Sequence, residues 1–155
     1  EQWLREAVRF ATARAPEGVA VEVSVADGLS LQGAPNLLHQ VMVNLVENAI
    51  QSVGAVGQVG LVARERGEGI LVRVHDDGPG FAEGIADRLF EPFATTRPDG
   101  TGLGLFLVYE IVRRHGGRIS AEGRPGEGAT FELWLPSSPQ GGGDAPAGDA
   151  SARSG

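Results

Sequence analysis

Apolar side chains recur at intervals of three and four residues in three stretches of the chain, which is the pattern of a helix with one buried face. These stretches are residues 1–14, 35–53 and 103–115. Pro35 suits the first turn of the second helix, because an N–H at that position has no partner within the helix. His115 and the two glycines after it end the third helix, and we interpret His115 as a cation at that C-terminus.

Alternating apolar and polar residues predict strands in the segments between the helices. The predicted strands are residues 19–25, 58–65, 69–75, 118–122 and 129–135. The first of them is the clearest, because valine stands at every second position. Asp27-Gly28 is a turn dipeptide, so residues 29–32 are expected to pair with that first strand. Residues 81–90 are predicted to form a short helical turn, and residues 94–104 a loop.

The chain of 155 residues is long enough for one ordinary domain with its own core. Glycine, serine, alanine and proline dominate residues 137–155, which have no large apolar side chain to bury. We therefore predict a folded domain over residues 1–136, followed by a disordered tail. The chain begins with Glu1 rather than methionine, and we interpret it as a fragment of a longer protein.

The composition excludes several classes of function. No cysteine is present, so disulfides, thiolate metal sites and cysteine nucleophiles are excluded. The formal net charge is -7, which argues against a broad surface for nucleic acids or anionic membranes. No apolar run is long enough for a membrane span, and no segment resembles a signal peptide. We expect a cytoplasmic domain without nucleic-acid binding or direct membrane contact, whether or not its parent protein is membrane-anchored.

Four short segments combine polar or glycine residues with defined positions in the predicted elements. Residues 44–49 (NLVENA) lie on the second helix, and residues 76–81 (DDGPGF) follow a strand. Residues 90–93 (FEPF) lead into residues 95–97 (TTR), and residues 100–105 (GTGLGL) open the third helix. Each segment alone is a weak signal, but their order and spacing together are specific.

Together these segments resemble the catalytic, ATP-binding domain of two-component sensor histidine kinases, whose nucleotide-binding (Bergerat, or GHKL) fold is shared with DNA gyrase B, Hsp90 and MutL. The matching segments are residues 40–51 for the N box, 76–80 for the G1 box, 90–93 for the F box, 100–105 for the G2 box and 126–131 for the last conserved strand turn. The resemblance covers roughly residues 1–136. It implies an α/β two-layer sandwich, with a mixed, mostly antiparallel sheet and three main helices on one face.

The segment that resembles the N box carries polar side chains along one face of its helix. Asn44 and Asn48 are one turn apart, and Gln51 continues the stripe. An amide oxygen is a hard, neutral ligand that suits Mg²⁺, which is otherwise held by phosphates and water. The resemblance implies that Asn48 contacts Mg²⁺ and that Asn44 lies beside the phosphates as a catalytic residue. Taken alone, the two asparagines would be interpreted as a solvent-facing pair.

Position 44 also distinguishes two kinds of reaction. In the ATP-hydrolysing relatives, a glutamate four residues before the metal-binding asparagine activates water. The residue here is Asn44, which cannot act as a carboxylate base. Glu47 is adjacent to Asn48 in sequence but points about 100° away around the helix. The chain therefore resembles the kinase branch of the family.

Asp76 ends an alternating segment and precedes a glycine-containing turn. A carboxylate only accepts hydrogen bonds, and in the family this aspartate accepts one from the 6-amino group of adenine. Guanine would present a carbonyl oxygen there, and a buried mismatch of that kind costs roughly 1–3 kcal/mol or more. The resemblance thus implies ATP rather than GTP. Without the other boxes, residues 76–80 would be interpreted as an acidic surface turn, and we interpret Asp77 as solvated.

Gly100, Gly102 and Gly104 precede the third helix, where backbone N–H groups and the helix dipole attract phosphate. A flexible linker would have the same glycine spacing. The resemblance makes the segment from Phe93 to Gly104 a mobile lid over the nucleotide. It also implies that Phe93 packs this lid against the core.

Several implied contacts leave alternatives open. Arg97 either reaches the γ-phosphate as a catalytic residue or is a surface charge of the lid. Ala49 and Leu89 either line the adenine pocket or are ordinary core residues. Gln51-Ser52 departs from the basic or aromatic pair of many members, which leaves phosphate contacts there open. The full set of implied nucleotide contacts is Asn44, Asn48, Ala49, Gln51, Asp76, Gly78, Gly80, Leu89, Phe93, Thr95, Thr96, Gly100, Thr101, Gly102, Leu103, Gly104, Leu105 and Thr130.

The resemblance implies ATP and Mg²⁺ as cofactors, and two protein partners: a dimerisation domain that bears the phosphoacceptor histidine, and a response regulator. His39, His75 and His115 lack the sequence context of that histidine and the spacing of a zinc site. The expected reaction is therefore phosphoryl transfer to a histidine outside this chain. The alternatives are a hydrolysing ATPase of the gyrase and MutL branch, a serine kinase of the anti-sigma type, and a degenerate nucleotide-binding module.

Overall fold

The computed structural model describes residues 1–94 and 103–138. Within these residues the helices are α1 (Gln2–Thr12), α2 (Pro35–Val53) and α3 (Gly104–Arg114), with a short 3-10 turn at Ala86–Arg88. The strands are β1 (Gly18–Val25), β2 (Val56–Arg66), β3 (Gly69–Asp76), β4 (Arg118–Gly123) and β5 (Ala129–Pro136). The predicted helices and the five main predicted strands are all present.

The described strands form one sheet in the order β1-β2-β3-β5-β4. β1 runs parallel to β2, and the other neighbouring pairs are antiparallel. α2 packs against β2 and β3, α3 against β4, and α1 against α2. The helices therefore form a single layer, and the predicted two-layer sandwich with a mixed, mostly antiparallel sheet is confirmed.

The core lies between this helical layer and the central strands. Burial alternates along β3 and β5, so that Val72, Val74, Phe131 and Leu133 face the helices. From the other side α2 contributes Leu45, which is fully buried. Burying each such side chain is worth roughly 1.5–3 kcal/mol. α2, which contributes many residues to the core, also carries Asn44 and Asn48 along one face, here called the asparagine stripe.

The opposite face of the sheet is polar. Arg73 on β3 pairs with Glu132 on β5, and the Arg118 guanidinium lies 5.3 Å from the ring centroid of Trp134. No helix of the described residues covers this face. None of these helices is long and apolar enough to cross a bilayer.

Residues 29–32 do not pair with β1, so that part of the prediction was wrong. The backbone N–H of Gly28 donates to the Glu1 carboxylate at 3.0 Å, and the backbone nitrogen of Glu1 donates to the Leu29 carbonyl at 2.8 Å. Leu29 is buried, and the Gln32 N–H donates to the Ser137 carbonyl at 3.0 Å. These partners satisfy the backbone that a hairpin would have used, and β1 pairs with β2 instead.

Ser137 extends the hydrogen-bonded chain one residue beyond the predicted domain end at Pro136. Its N–H donates to the carbonyl of Glu68 at 2.9 Å, in addition to the bond that its carbonyl accepts from Gln32. Ser138 is the last described residue, and residues 139–155 of the predicted tail lie outside the described part of the chain.

His115 is not the helix-terminal cation that we predicted. Its Nδ1 lies 2.8 Å from the Ile111 carbonyl, and its Nε2 accepts a hydrogen bond from the Ala34 N–H at 3.2 Å. A ring nitrogen that accepts is unprotonated, so the imidazole is neutral and Nδ1 is the donor. Ala34 precedes α2 and Ile111 lies on α3, so this side chain joins the beginning of one helix to the end of the other.

We expect His115→Ala to lower the free energy of unfolding by about 1–3 kcal/mol, because the partly buried Ala34 N–H loses its acceptor. Urea denaturation followed by circular dichroism measures this change. His75→Ala is the matched control, since His75 is exposed on the open face of the sheet, and we expect a change within about 0.5 kcal/mol. Equal losses in the two variants would contradict the role of His115 in joining α2 and α3.

Candidate functional site

Asp76, the last residue of β3, is the centre of the candidate site. Its side chain is only 6% exposed, and it is the one charged residue that is buried within the described part of the chain. The carboxylate accepts a hydrogen bond from the Gly78 N–H at 2.9 Å, and the Ser52 hydroxyl and the Ala129 N–H act as donors that lower its pKa. These donors come from the turn after β3, from α2 and from β5, so three elements fix one carboxylate.

Burial raises the pKa of Asp76 above its ordinary value, because a charged carboxylate loses solvation there. The Gly78 N–H and the Ser52 hydroxyl oppose this rise, whereas the nearby charge of Asp77 adds to it. A carboxylate has about four acceptor positions. The Gly78 N–H occupies one of them, on Oδ1, and the carboxylate can still accept a hydrogen bond from a ligand N–H.

Gly78 allows α2 to approach this carboxylate closely. A Cβ at position 78 would lie 2.6 Å from the Ser52 hydroxyl oxygen and 2.8 Å from Asp76 Oδ1. Any side chain there would push the helix away from the end of β3. Gly80 lies further along the turn, against the backbone of Arg124, and the Pro79 carbonyl accepts a hydrogen bond from the Gly126 N–H at 2.8 Å.

Asp77 is exposed, as predicted, but its carboxylate has a partner. Its Oδ1 accepts a hydrogen bond from the Gln58 N–H at 2.8 Å, while its own N–H donates to the Gln58 carbonyl at 3.2 Å. These two bonds continue the pairing of β2 and β3 beyond Asp76. The two neighbouring aspartates therefore differ in environment. Asp76 is buried beside α2, whereas Asp77 is exposed and continues the hydrogen bonding between β2 and β3.

The asparagine stripe brings α2 beside the beginning of α3. Asn44 Oδ1 accepts a hydrogen bond from Gln40 at 3.1 Å, and Asn44 Nδ2 lies 3.5 Å from the carbonyl of Gly104. Asn48 is half-buried one turn further along, whereas Gln51 is exposed. The two segments that resemble the N and G2 boxes are thus adjacent in space.

Ala49 and Glu47 occupy the other sides of the same helix turn. Ala49 is buried in the core. Glu47 Oε1 lies 3.6 Å from Arg14, two residues after the end of α1, so its carboxylate is directed toward that segment and away from Asn44 and Asn48. No carboxylate on this turn of α2 faces the position that Asn44 and Asn48 share.

The F-box segment packs through a different aromatic residue from the one that we predicted. Phe93 is 72% exposed and has φ +64°, so it does not pack against the core, and that prediction was wrong. Phe90 packs there instead, with its ring centroid 6.0 Å from Tyr109 and 6.2 Å from Phe131. Leu89 is partly buried against the same core.

The lid prediction falls mostly outside the described residues. Six predicted site residues lie there: Thr95, Thr96, Arg97, Gly100, Thr101 and Gly102. Of the described G2 residues, Leu103 is exposed, Gly104 begins α3 and Leu105 packs partly against the core. No side chain caps the N-terminus of this helix within the described structure. Its first N–H groups have the geometry that suits an anion.

A family model described as "Histidine kinase-, DNA gyrase B-, and HSP90-like ATPase" matches residues 33–139. The chain belongs to this ATPase family. The match includes α2, the turn after Asp76 and α3. Every described part of the candidate site therefore lies within the conserved ATPase domain.

Curated relatives of the chain are sensor kinases. It is 45% identical over 106 residues to sensor histidine kinase ZraS of Escherichia coli K12, a match covering 68% of this chain and 23% of ZraS. It is 36% identical over 110 residues to sporulation kinase A of Bacillus subtilis, covering 71% of this chain and 18% of that protein. The chain thus spans about a quarter or less of the curated relatives it matches, and it is the ATPase domain of a sensor histidine kinase.

Solved histidine kinase structures share the fold of this ATPase domain. The catalytic domain of histidine kinase ThkA, in a nucleotide-free form, superposes with a TM-score of 0.80 at 28% identity, covering 89% of this chain and 92% of that one. Full-length ShkA in complex with AMPPNP gives 0.77 at 32% identity, covering 87% of this chain and 29% of ShkA. The resemblance stated from the sequence boxes is confirmed.

Thr130 does not share a face of the ATPase sheet with Asp76. In the register of β3 and β5, Asp76 pairs with Ala129, and Thr130 pairs with His75. Side chains alternate along a strand, so Thr130 lies on the open face with Glu132, while Asp76 faces the helices. The register does not bring Thr130 to the side of the sheet on which Asp76 lies, and Ala129 is the β5 residue paired with Asp76.

Sequence reasoning missed Ser52 as part of this site. The residue stands four positions after Asn48 and eight after Asn44, so helical periodicity alone places it on their stripe. We extended the stripe to Gln51 instead, which is exposed. No spacing rule could have found the Ala129 N–H, because its role depends on strand register.

The residues of the site fit Mg²⁺ only as a partner of bound phosphate. No group of three or more histidine or acidic side chains that could hold a metal occurs among the described residues. One amide oxygen, that of Asn48, is a suitable ligand, and Mg²⁺ commonly keeps several waters and phosphate oxygens around it. The ATPase domain would therefore take up the ion together with a nucleotide.

Proposed function

We propose that this domain binds Mg-ATP and transfers the γ-phosphoryl group to a histidine on a dimerisation domain outside this chain, for passage to a response regulator. The observation that carries the proposal is the buried Asp76 carboxylate, which lies beside Ser52 of α2 and can accept a hydrogen bond from a ligand N–H. The names of the relatives and the AMPPNP complex of ShkA support the same function.

The two ends of the nucleotide would be recognised by different chemistry. Asp76 accepts a hydrogen bond from the 6-amino group of adenine, and the N–H groups at the start of α3, which no side chain caps among the described residues, receive phosphate oxygens. Asn48 would hold Mg²⁺ through its amide oxygen, and the ion would neutralise charge on the phosphates. Asn44 Nδ2 lies 3.5 Å from the carbonyl of Gly104, beside the start of α3, which supports a position for Asn44 near the phosphates.

In the transfer step, the bond between the γ-phosphorus and the oxygen of ADP breaks, and a bond from the histidine nitrogen to phosphorus forms. ADP keeps the electron pair, and the histidine proton leaves to solvent or to a base outside this chain. The residues of this domain contribute positioning and electrostatic stabilisation. Hydrolysis is disfavoured because position 44 is an amide and Glu47 pairs with Arg14, so neither supplies a base for water.

Titration of the domain with ATP tests the binding part of this proposal. We expect saturable binding that strengthens with Mg²⁺, and Asn48→Ala should weaken Mg-ATP binding by at least roughly tenfold, because it removes the metal ligand. Isothermal calorimetry with and without Mg²⁺ measures both effects. Asn36→Ala, at an exposed position near the start of the same helix, serves as the matched control and should bind like the wild type.

Radiolabelled ATP tests the transfer part. The domain, mixed with Mg²⁺, [γ-³²P]ATP and a histidine-bearing dimerisation domain supplied separately, should produce acid-labile, base-stable label on that domain. Without the acceptor, phosphate release should stay low. Rapid release by the domain alone would instead indicate a hydrolysing ATPase.

A further inference from the structure

Ser52 occupies a position between the two halves of the candidate nucleotide site. It lies in the last turn of α2, on the stripe that begins with Asn44 and Asn48, and it is half-buried. Its hydroxyl oxygen and Asp76 Oδ1, at the end of β3, lie 2.6 and 2.8 Å from the same point, a Cβ placed on Gly78, and the hydroxyl acts as a donor that lowers the pKa of Asp76. The Ser52 side chain thus connects two elements: α2, which carries Asn44 and Asn48, and β3, which ends at Asp76.

The surroundings leave this hydroxyl little freedom. The space beside it is limited by Gly78, where a Cβ would come within 2.6 Å of the Ser52 hydroxyl oxygen and 2.8 Å of the Ser52 carbonyl oxygen. The Gly78 N–H holds Asp76 Oδ1 at 2.9 Å from the same side. The carboxylate is therefore held in one orientation by groups that themselves cannot move far.

We propose that Ser52 is a positioning residue for base recognition: its hydroxyl orients the Asp76 carboxylate so that an acceptor position faces the 6-amino group of adenine. This inference rests on the proposed binding of ATP. The groups around the carboxylate are the Ser52 hydroxyl, the Gly78 and Ala129 N–H groups and the charge of Asp77. Of these, only Ser52 comes from the helix that carries the asparagines.

Two nucleotides that differ at position 6 of the base separate positioning from general affinity. Inosine triphosphate has a carbonyl oxygen in place of the 6-amino group and a proton on N1, so position 6 cannot donate to Asp76 as the adenine amino group does. We expect Ser52→Ala to weaken ATP binding about tenfold while leaving the weaker binding of inosine triphosphate unchanged. The preference of the protein for ATP then falls by the same factor. Ser52→Thr, which keeps the hydroxyl, should restore it.

Direct titration of Asp76 gives a readout that does not need nucleotide. In carbon-detected NMR of the nucleotide-free domain, the pKa of Asp76 should rise in Ser52→Ala, since a donor to the charged form is lost, and return in Ser52→Thr. Ser120→Ala, at an exposed position on β4, controls for the loss of a hydroxyl elsewhere. Thermal unfolding of each variant checks that the fold is intact.

An unchanged pKa of Asp76 in Ser52→Ala, or equal weakening of both nucleotides, would overturn the positioning role. Failure of the wild-type protein to bind ATP would instead overturn the proposed function, and the role of Ser52 with it. In that case a raised pKa in Ser52→Ala would still identify the hydrogen bond as real. The two failures are therefore distinguishable.

Discussion

Replacing Asp76 with asparagine is expected to abolish ATP binding without loss of the fold. The amide puts an NH₂ group among donors that now meet a carboxylate, and it removes acceptor positions that the adenine amino group needs. An unpaired polar contact in a buried, charge-assisted site weakens binding by roughly 100-fold or more. Isothermal calorimetry with Mg-ATP measures the loss, and circular dichroism confirms the fold.

The adjacent Asp77→Asn is the matched control for this prediction. It makes the same chemical change one residue away, at an exposed side chain whose Oδ1 accepts only from the sheet edge among the described contacts. Asparagine keeps that oxygen, so ATP binding should remain within about twofold. If Asp76→Asn bound ATP like the wild type, or if both variants lost binding equally, Asp76 would not be the adenine acceptor.

The free energies of unfolding of the wild type and Asp76→Asn should also diverge with pH. Burial raises the pKa of Asp76 in the folded protein above its ordinary value of 3.8, so the folded state binds this proton more tightly than the unfolded chain. Between 3.8 and the raised pKa, stability from this group is lost as pH rises. Asparagine does not titrate, so Asp76→Asn should gain stability relative to the wild type as pH rises through that window.

Urea denaturation of both proteins at several pH values between about 3.5 and 7 measures this difference. The Asp77→Asn variant should show the wild-type trend at reduced size, because burial, the largest cause of the raised pKa of Asp76, remains while the charge of Asp77 is lost. A wild-type protein that becomes more stable relative to Asp76→Asn as pH rises would show that the three donors outweigh burial. The sign of the difference is therefore informative in itself.

Elements with a continuous apolar pattern along the chain were predicted correctly, whereas strand pairing with a distant segment was not. α2 was predicted with both ends correct, because Pro35 and Gly54 flank a continuous apolar stripe. The β2–β3 and β4–β5 hairpins were found because each has its turn signal between its strands. β1 pairs in parallel with a strand that follows a whole helix, and no local pattern reports such a partner. The turn dipeptide Asp27-Gly28 led us to predict that residues 29–32 pair with β1, which they do not.

The site shows the same division between local and non-local information. Asp76 and Asn44 were identified because their types and spacing carry chemistry that a motif preserves. Two other features depend on backbone torsion and strand register. They are the packing of Phe90 rather than Phe93 against the core, and the position of Thr130 on the open face of the sheet. Those quantities follow from the packing of the whole sheet. Ser52 is the exception, since its spacing from Asn44 and Asn48 along α2 would have been enough to place it on the same face.

The second large effect is expected at Gly128, in the turn that leads into β5. Its φ is +78°, a conformation that costs an L-residue about 1–2 kcal/mol. An added Cβ would overlap the carbonyl oxygen of Asp76 and lie 3.2 Å from the Cα of Asp77. Both neighbours are backbone atoms of the sheet edge, so neither can rotate away. Gly128→Ala should therefore lower the free energy of unfolding by about 3–5 kcal/mol and disturb the adenine acceptor.

Gly126→Ala, two residues earlier, separates the two causes of that loss. Gly126 has the same φ of +78°, but no atom lies within 4 Å of an added Cβ. Its substitution should cost only the conformational term, about 1–2 kcal/mol, and leave ATP binding near the wild-type value. Thermal and urea unfolding of the two variants, with ATP titration of each, measure the difference. Equal destabilisation of both would mean that backbone conformation alone, and not contact with Asp76, makes glycine necessary at position 128.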